Sequence, residues 1–501
     1  MEPINDIRLL LAILAPLLGA GLVMANGRRP NVREACSFLA AATLFAITAS
    51  MLPAILDGKR LHFVLFQLLP GVNGSSGLSI SLRADALSMV FAVSASFLWM
   101  LTVFYSAGYM RGLEEHAQTR FNTCFALALF GAMGCAFSDN LLTLYLFYEI
   151  VSICTYPLVA HHQDEEGYEG GKKYLTYLTA TAKGLILPAM VLIYVLSGTL
   201  DFATNIRTGI IPPDVHHGII AALYACCILG FAKNGVMPFH NWLPSAMVAP
   251  TPVSALLHAV AVVKVGVFST VRVMLYVFGV DLMHQLNLGL PTAYFVSFTI
   301  IAGSIVALSK DNLKARLAYS TVSQLSYIIL GVALLTPAGI EGGLIHIANH
   351  AFSKITLFFC AGAIYVATHK KNISEMSGLG RAMPFTFGAF ALASLSMIGA
   401  PPVAGFVTKW YLLNGAFDAG SIGIIVVLLV STLLNAAYFA PVVYQGFFGK
   451  PSEADNGHHY REAHPAMVIP LTITAAISVL IGLYPNFLMH LVHFVTGQPL
   501  S

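Results

Sequence analysis

Apolar runs of about 20 residues, the length that crosses a bilayer as a helix, recur along the whole chain with short polar connections between them. They predict fourteen transmembrane helices, near 9–25, 36–56, 86–108, 122–137, 140–160, 172–197, 218–235, 252–277, 291–309, 313–335, 341–367, 385–416, 422–447 and 467–489. Two of these spans are interrupted. The seventh runs into GVMPFHNWLP, where Pro238 and Pro244 each lack a backbone donor. The twelfth contains GAPPVAGF, with Pro401 and Pro402 in its middle. A broken helix is tolerated at membrane depth only where the freed backbone is buried in protein or faces a wet cavity. Lys233 precedes one break and Lys409 follows the other, and spans seven and twelve cross in opposite directions. That is the pattern of an inverted-topology repeat, with the working sites at the repeat interface.

The connections carry an asymmetric charge. One side holds fifteen lysines and arginines, among them Arg28, Lys172, Lys310, Lys370 and Arg461; the other holds five, Arg8, Lys59, Arg60, Arg83 and Arg207. By the positive-inside rule the richer side is cytoplasmic and both termini face outward, in a bacterial or archaeal cell membrane. Composition agrees: 57% of the 501 residues are hydrophobic and 10% charged. No polar segment is long enough for a soluble domain. The acidic, weakly basic start MEPINDIR, with no small-residue cleavage site after it, reads as leading into a retained span and not a signal peptide. The seven cysteines form no CxxC pair, so neither a zinc site nor an iron–sulfur cluster is expected and the thiols read as small buried hydrophobes. No nucleotide, flavin, metal or quinone motif is present. No cofactor is expected, and no nucleic-acid partner.

Against this background, ionisable residues inside the apolar runs stand out: Glu149, Lys183, Lys233, Lys264, Arg272, Lys354 and Lys409. Each costs about 2.5–3.5 kcal/mol on insertion scales, so such groups face a wet interior and mark ion or proton pathways. Glu149 lies ten residues after Asp139, roughly 15 Å into span five at helical rise, and needs a cation nearby to stay charged. Lys233 is the candidate partner, and Lys183 in span six a second. In span eleven His346, His350 and Lys354 recur every four residues and form one polar stripe, able to pass a proton along a helix face. In span eight Ser254 and His258 share a face, whereas Lys264, six residues on, is expected to point elsewhere.

Four long segments resemble the proton-translocating antiporter-like family: KNGVMPFHNWLPSAMVAPTPVSALLH, DNLKARLAYSTVSQLSY, HIANHAFSKITLFFCAG and SMIGAPPVAGFVTKW. That family includes the large subunits of Mrp-type cation/proton antiporters, the antiporter-like membrane subunits of respiratory complex I, and hydrogenase relatives. The resemblance covers most of the chain, and VVKVGVFSTVRV is most similar to the D-type subunit of Mrp antiporters. It implies an all-α polytopic fold with three leading helices (1–121), two inverted five-helix repeats (122–277 and 291–447), and a C-terminal loop and helix (448–501). It also implies roles: Glu149 with Lys233 as the interacting pair of the first repeat, His258 and Lys264 linking onward, His350 and Lys354 continuing the axis with His346, and Lys409 as the terminal group. Lys183 stands where that pattern has no charge. The expected function is proton movement within a multi-subunit Na+(K+)/H+ antiporter, the chain itself carrying no redox centre. The same fold also serves redox-driven complexes, where it would be part of a translocase, and inorganic-carbon uptake complexes.

Overall fold

The computed structural model describes residues 4–71, 77–450 and 460–497. The chain is an all-α, multi-pass membrane protein, and each of the predicted spans coincides with a helix or a broken helix pair. In chain order these are α1 (Arg8–Ala25), α2 (Pro30–Leu56), α3 (Ala86–Gly112), α4 (Gln118–Ala136), α5 (Leu141–Val159), α6 (Glu165–Ser197), α7 (His217–Gly230) and α8 (Thr251–Phe278). They continue with α9 (Gly289–Leu308), α10 (Leu313–Ala333), α11 (Pro337–Thr368), α12 (Pro384–Ile398), α13 (Ala404–Asp418), α14 (Ile422–Phe448), α15 (Pro465–Leu483) and α16 (Asn486–Thr496). Ten helices among the described residues are long and apolar enough to cross a membrane on their own, and α7 and α12 are shorter apolar pieces.

Polar residues at the junctions start the helices. Asp85 accepts from the Ser88 amide ahead of α3, Asn140 from Thr143 ahead of α5, Asp164 from Gly167 ahead of α6, and Asn312 from Ala315 ahead of α10. Each satisfies an amide that the first helical turn leaves without a partner. The Asp164 cap begins α6 several residues earlier than its apolar run suggests.

A small sheet forms mainly in the connection between the second and third spans, to which the sequence assigned no element. The short strand β1 (Ile4–Asn5) pairs in parallel with β2 (Leu61–Leu69), which pairs antiparallel with β3 (Leu78–Ala84), matching Leu61 to Ala84 and His62 to Arg83. The cysteines are all free; Cys135, Cys227 and Cys360 are buried as expected, but Cys36, Cys124, Cys154 and Cys226 lie on partly exposed faces.

Two helices form the interior. Every residue of α8 is buried, and α11, the longest uninterrupted helix among the described residues, is wrapped by α3, α8, α10, α12, α13 and α15. Both are nevertheless the helices richest in buried ionisable groups.

Candidate functional site

The break after α7 is built by its own sequence. The helix ends at Gly230, a 3-10 turn Ala232–Asn234 carries Lys233, and Gly235 takes φ +73°, a left-handed conformation that glycine adopts without a Cβ penalty. The Asn234 side chain donates to the Ile228 carbonyl at 2.9 Å and accepts from the Val236 amide at 3.0 Å, and the Trp242 indole donates to the Ala232 carbonyl at 3.0 Å. The freed backbone is therefore satisfied inside the protein, as burial at membrane depth requires. Lys233 is fully buried; its ammonium donates to the Tyr148 carbonyl at 2.8 Å and the Ser152 hydroxyl at 2.7 Å and lies against the Tyr148 ring. On the opposite side Gly266 of α8 approaches so closely that any Cβ there would overlap the Lys233 carbonyl carbon.

Glu149 is beside this group but not bonded to it. Residues 148 and 152 share one face of α5, and Glu149 is turned about 60–100° from them. One carboxylate oxygen is buried without a hydrogen-bond partner, so the direct Glu149–Lys233 ion pair expected from the sequence is not formed in this conformation. Both Lys233 and Lys183 are near enough for their charge to act on the carboxylate. Lys183 sits on an exposed face of α6, within the π turn Ala182–Ile186 that interrupts it.

The break between α12 and α13 uses the same parts differently. Gly399 takes φ +87°, and the freed carbonyls at the end of α12 are capped by side chains: Met397 by Asn435 (3.2 Å) and Gln324 (3.4 Å), Ile398 by the Lys409 ammonium at 2.6 Å. Lys409 also donates to the Thr432 hydroxyl at 2.9 Å.

Between the breaks runs a file of basic groups. Lys264 Nζ and His350 Nδ1 are 2.9 Å apart, both buried. The His350 and His346 rings are 5.6 Å apart along α11, and His346 reaches the Thr408 hydroxyl of α13 at 3.2 Å. The Tyr327 ring stands between His346 (5.8 Å) and the Lys409 ammonium (5.7 Å). Lys354 instead turns to the Ser320 hydroxyl of α10 in a short hydrogen bond. The stripe read from the sequence thus fans out, touching α8, α10 and α13. His258 packs against Phe358 of α11 at 5.0 Å, and among the described residues neither of its ring nitrogens has a hydrogen-bond partner. Its neighbour Lys264 was expected to face a different helix; both face α11, because the π turn Leu256–Val260 and the irregular Ala261 re-phase α8 between them.

Arg272 belongs to a different cluster. It forms a bidentate ion pair with Asp85 (2.5 and 3.0 Å) and a bond to Ser88, while Arg83 stands 3.3 Å from Asp85 and 3.5 Å from Asp139. Arginine does not release its proton in proteins, so this cation fastens α8 to the start of α3. Sequence reasoning also missed the hydroxyls and carbonyls that hold the ammonium groups (Ser152, Ser320 and Thr432 by their hydroxyls, Tyr148 and Ile398 by their carbonyls) and the Thr408 hydroxyl that meets His346. Ser152 falls one turn after Glu149, a spacing that points to it; a carbonyl leaves no mark in a sequence.

Residues 138–435 match the family model described as NADH:quinone oxidoreductase/Mrp antiporter, transmembrane, and residues 72–122 match one described as NADH-ubiquinone oxidoreductase (complex I) chain 5 N-terminus. NADH-quinone oxidoreductase subunit N of Desulforudis audaxviator is 32% identical over 419 residues, covering 81% of this chain and 82% of that protein. Among solved structures, a chain of the Mrp complex of Dietzia superposes with a TM-score of 0.85 at 22% identity, covering 98% of this chain and 96% of the other. A chain of an archaeal membrane-bound sulfane sulfur reductase superposes equally well, with 98% and 97% covered. These similar proteins are components of multi-subunit membrane complexes.

Proposed function

Because the chain belongs to the NADH:quinone oxidoreductase/Mrp antiporter family, we propose that it carries protons through the membrane along the file Glu149–Lys233–Lys264–His350–His346–Lys409, with Lys183, His258 and Lys354 beside it. The observation that carries this reading is the buried Lys264–His350 contact. Two basic groups at 2.9 Å, without a carboxylate between them, share protons far more readily than they hold two. A proton arriving at one displaces the other, which is the elementary step of electrostatic relay. The unpartnered nitrogens of His258, His346 and His350 and the free oxygen of Glu149 offer acceptor sites for buried water between the side chains.

In this reading residues 122–277 and 291–447 are two inverted units, each ending its path at a lysine beside a helix break. The lysine- and arginine-rich face is cytoplasmic and the termini lie outside. Proton movement is coupled, through sister membrane subunits, to Na+ or K+ exchange. The redox-driven alternative, in which partner subunits supply electrons, uses the same file.

The test is proton movement in vesicles containing the assembled complex. Lys233→Ala and Glu149→Ala are each expected to abolish it, by about 100-fold or more on the scale of losing a positioned proton carrier. Glu149→Asp, which keeps the charge with a shorter reach, retains part. Near-normal movement in an assembled Ala variant removes that residue from the path.

A further inference from the structure

On the lysine-rich face, two short loops bring four ligating side chains together from sequence positions about forty-five residues apart. The turn after α3 supplies Glu115 and His116; the turn after α5 supplies His161 and His162. One Glu115 carboxylate oxygen lies 3.7 Å from His162 Nδ1, 3.8 Å from His161 Nε2 and 4.0 Å from His116 Nδ1. The ligand atoms of Glu115, His116 and His162 all fall within 4.8 Å of one another. The His116 and His161 rings overlap at 4.9 Å. His161 is fully buried, yet among the described residues neither ring nitrogen has a hydrogen-bond partner. A buried imidazole left bare beside a carboxylate is costly unless something is meant to meet it.

We propose that Glu115, His116, His161 and His162 form a binding site for Zn2+. Tetrahedral zinc with nitrogen and oxygen ligands at 2.0–2.2 Å needs ligand atoms about 3.4 Å apart, so the Glu115, His116 and His162 ligand atoms, which lie within 4.8 Å of one another, would close by up to about 1.4 Å, and His161, whose Nε2 is 3.8 Å from Glu115, would turn in to join them. The ligand set also selects the ion. Three imidazoles and one carboxylate suit a borderline dication, whereas Mg2+ and Ca2+ need oxygen shells. The neighbouring cation Arg120 donates to the His161 carbonyl at 2.7 Å and so fixes the turn. Glu115 and His162 also line a cavity of about 440 Å³. The residues of the proposed site come from two dipeptides, EH and HH, that only folding unites.

Zn2+ is titrated into the untagged, assembled complex in competition with a chromophoric zinc chelator. The wild-type complex is expected to hold one equivalent more than complexes carrying His116→Ala plus His162→Ala, or Glu115→Gln. Those variants should bind at that site at least ~10-fold more weakly, since even outer partners of a metal site contribute that much. The exposed His217→Ala is the control and should titrate like the wild type. Co2+ substitution gives a second readout: an intense tetrahedral d–d spectrum in the wild type that the Glu115→Gln complex lacks. Equal stoichiometry and affinity in all four complexes, or no saturable binding by the wild type, overturns the site. Because the readout is binding, neither result depends on whether the chain moves protons.

Discussion

Lys233 and Lys409 each place an ammonium on one backbone carbonyl and one hydroxyl, but the two carbonyls differ in kind. Lys233 takes the Tyr148 carbonyl from inside the continuous helix α5, whereas Lys409 takes the Ile398 carbonyl that the end of α12 leaves open. The first lysine has a carboxylate, Glu149, within electrostatic reach; the second has Tyr327 and Thr432. Around the first lysine, then, a carboxylate is close enough to offset the ammonium charge. In the second half the lysine also caps a helix end, and the charge is balanced by carbonyls, hydroxyls and a ring face. The same broken-helix plan accommodates both solutions, since what the break requires is only that its freed backbone groups be met.

Lys409→Arg separates those two duties and should have the largest effect. Arginine keeps the charge and can still donate to Ile398, so a lysine needed only as a cap is replaced without loss. A proton carrier is not, because arginine stays protonated; proton movement is then expected to fall by about 100-fold or more, with assembly unchanged. Full activity in the Arg variant makes Lys409 a fixed charge.

A smaller effect is expected at Lys183. Glu149 retains Lys233 when Lys183 becomes Ala, so most transport should survive, with the pH profile displaced to higher pH because the charge balance around the carboxylate loses one cation. An unchanged profile in a normally assembled complex assigns Lys183 to a partner or lipid contact instead.

The smallest effect lies outside both halves, in the sheet. His62 Nε2 meets Asp139 at 2.9 Å, and that hydrogen bond raises the imidazole above its ordinary value, with burial opposing. A raised histidine adds stability that is complete below the unfolded value of about 6.5 and is lost as pH rises through the folded value. The gap in Tm between wild type and His62→Ala should therefore be widest in mild acid and close at alkaline pH. A gap that widens with pH contradicts the ion pair.

Much of this arrangement was legible in the chain. Spans, breaks and intramembrane charges are local properties of apolar runs and prolines, so they could be read residue by residue. The partners of the charges could not. Ser320 is 34 residues from Lys354 and Thr408 is 62 from His346, and the contacts depend on how helices cross. The re-phasing of His258 and Lys264 by a π turn has no mark in an apolar helical run. Arg272 looked like the lysines in sequence and was distinguished only when Asp85 was found against it. Strand β2 was hidden because a nearly continuous apolar stretch of nine residues carries no helical or strand period of its own, whereas the alternation in LSISLRA of β3 was a readable strand signal.

The claim that joins the two halves is that protons cross between them through Lys264 and His350. Lys264→Met keeps the length and apolar stem of the side chain and removes only its protonatable nitrogen. Proton movement by the assembled complex in sealed vesicles tests the link most directly. Movement is expected to fall to background level with the complex intact. Wild-type movement through a Lys264→Met complex would contradict it.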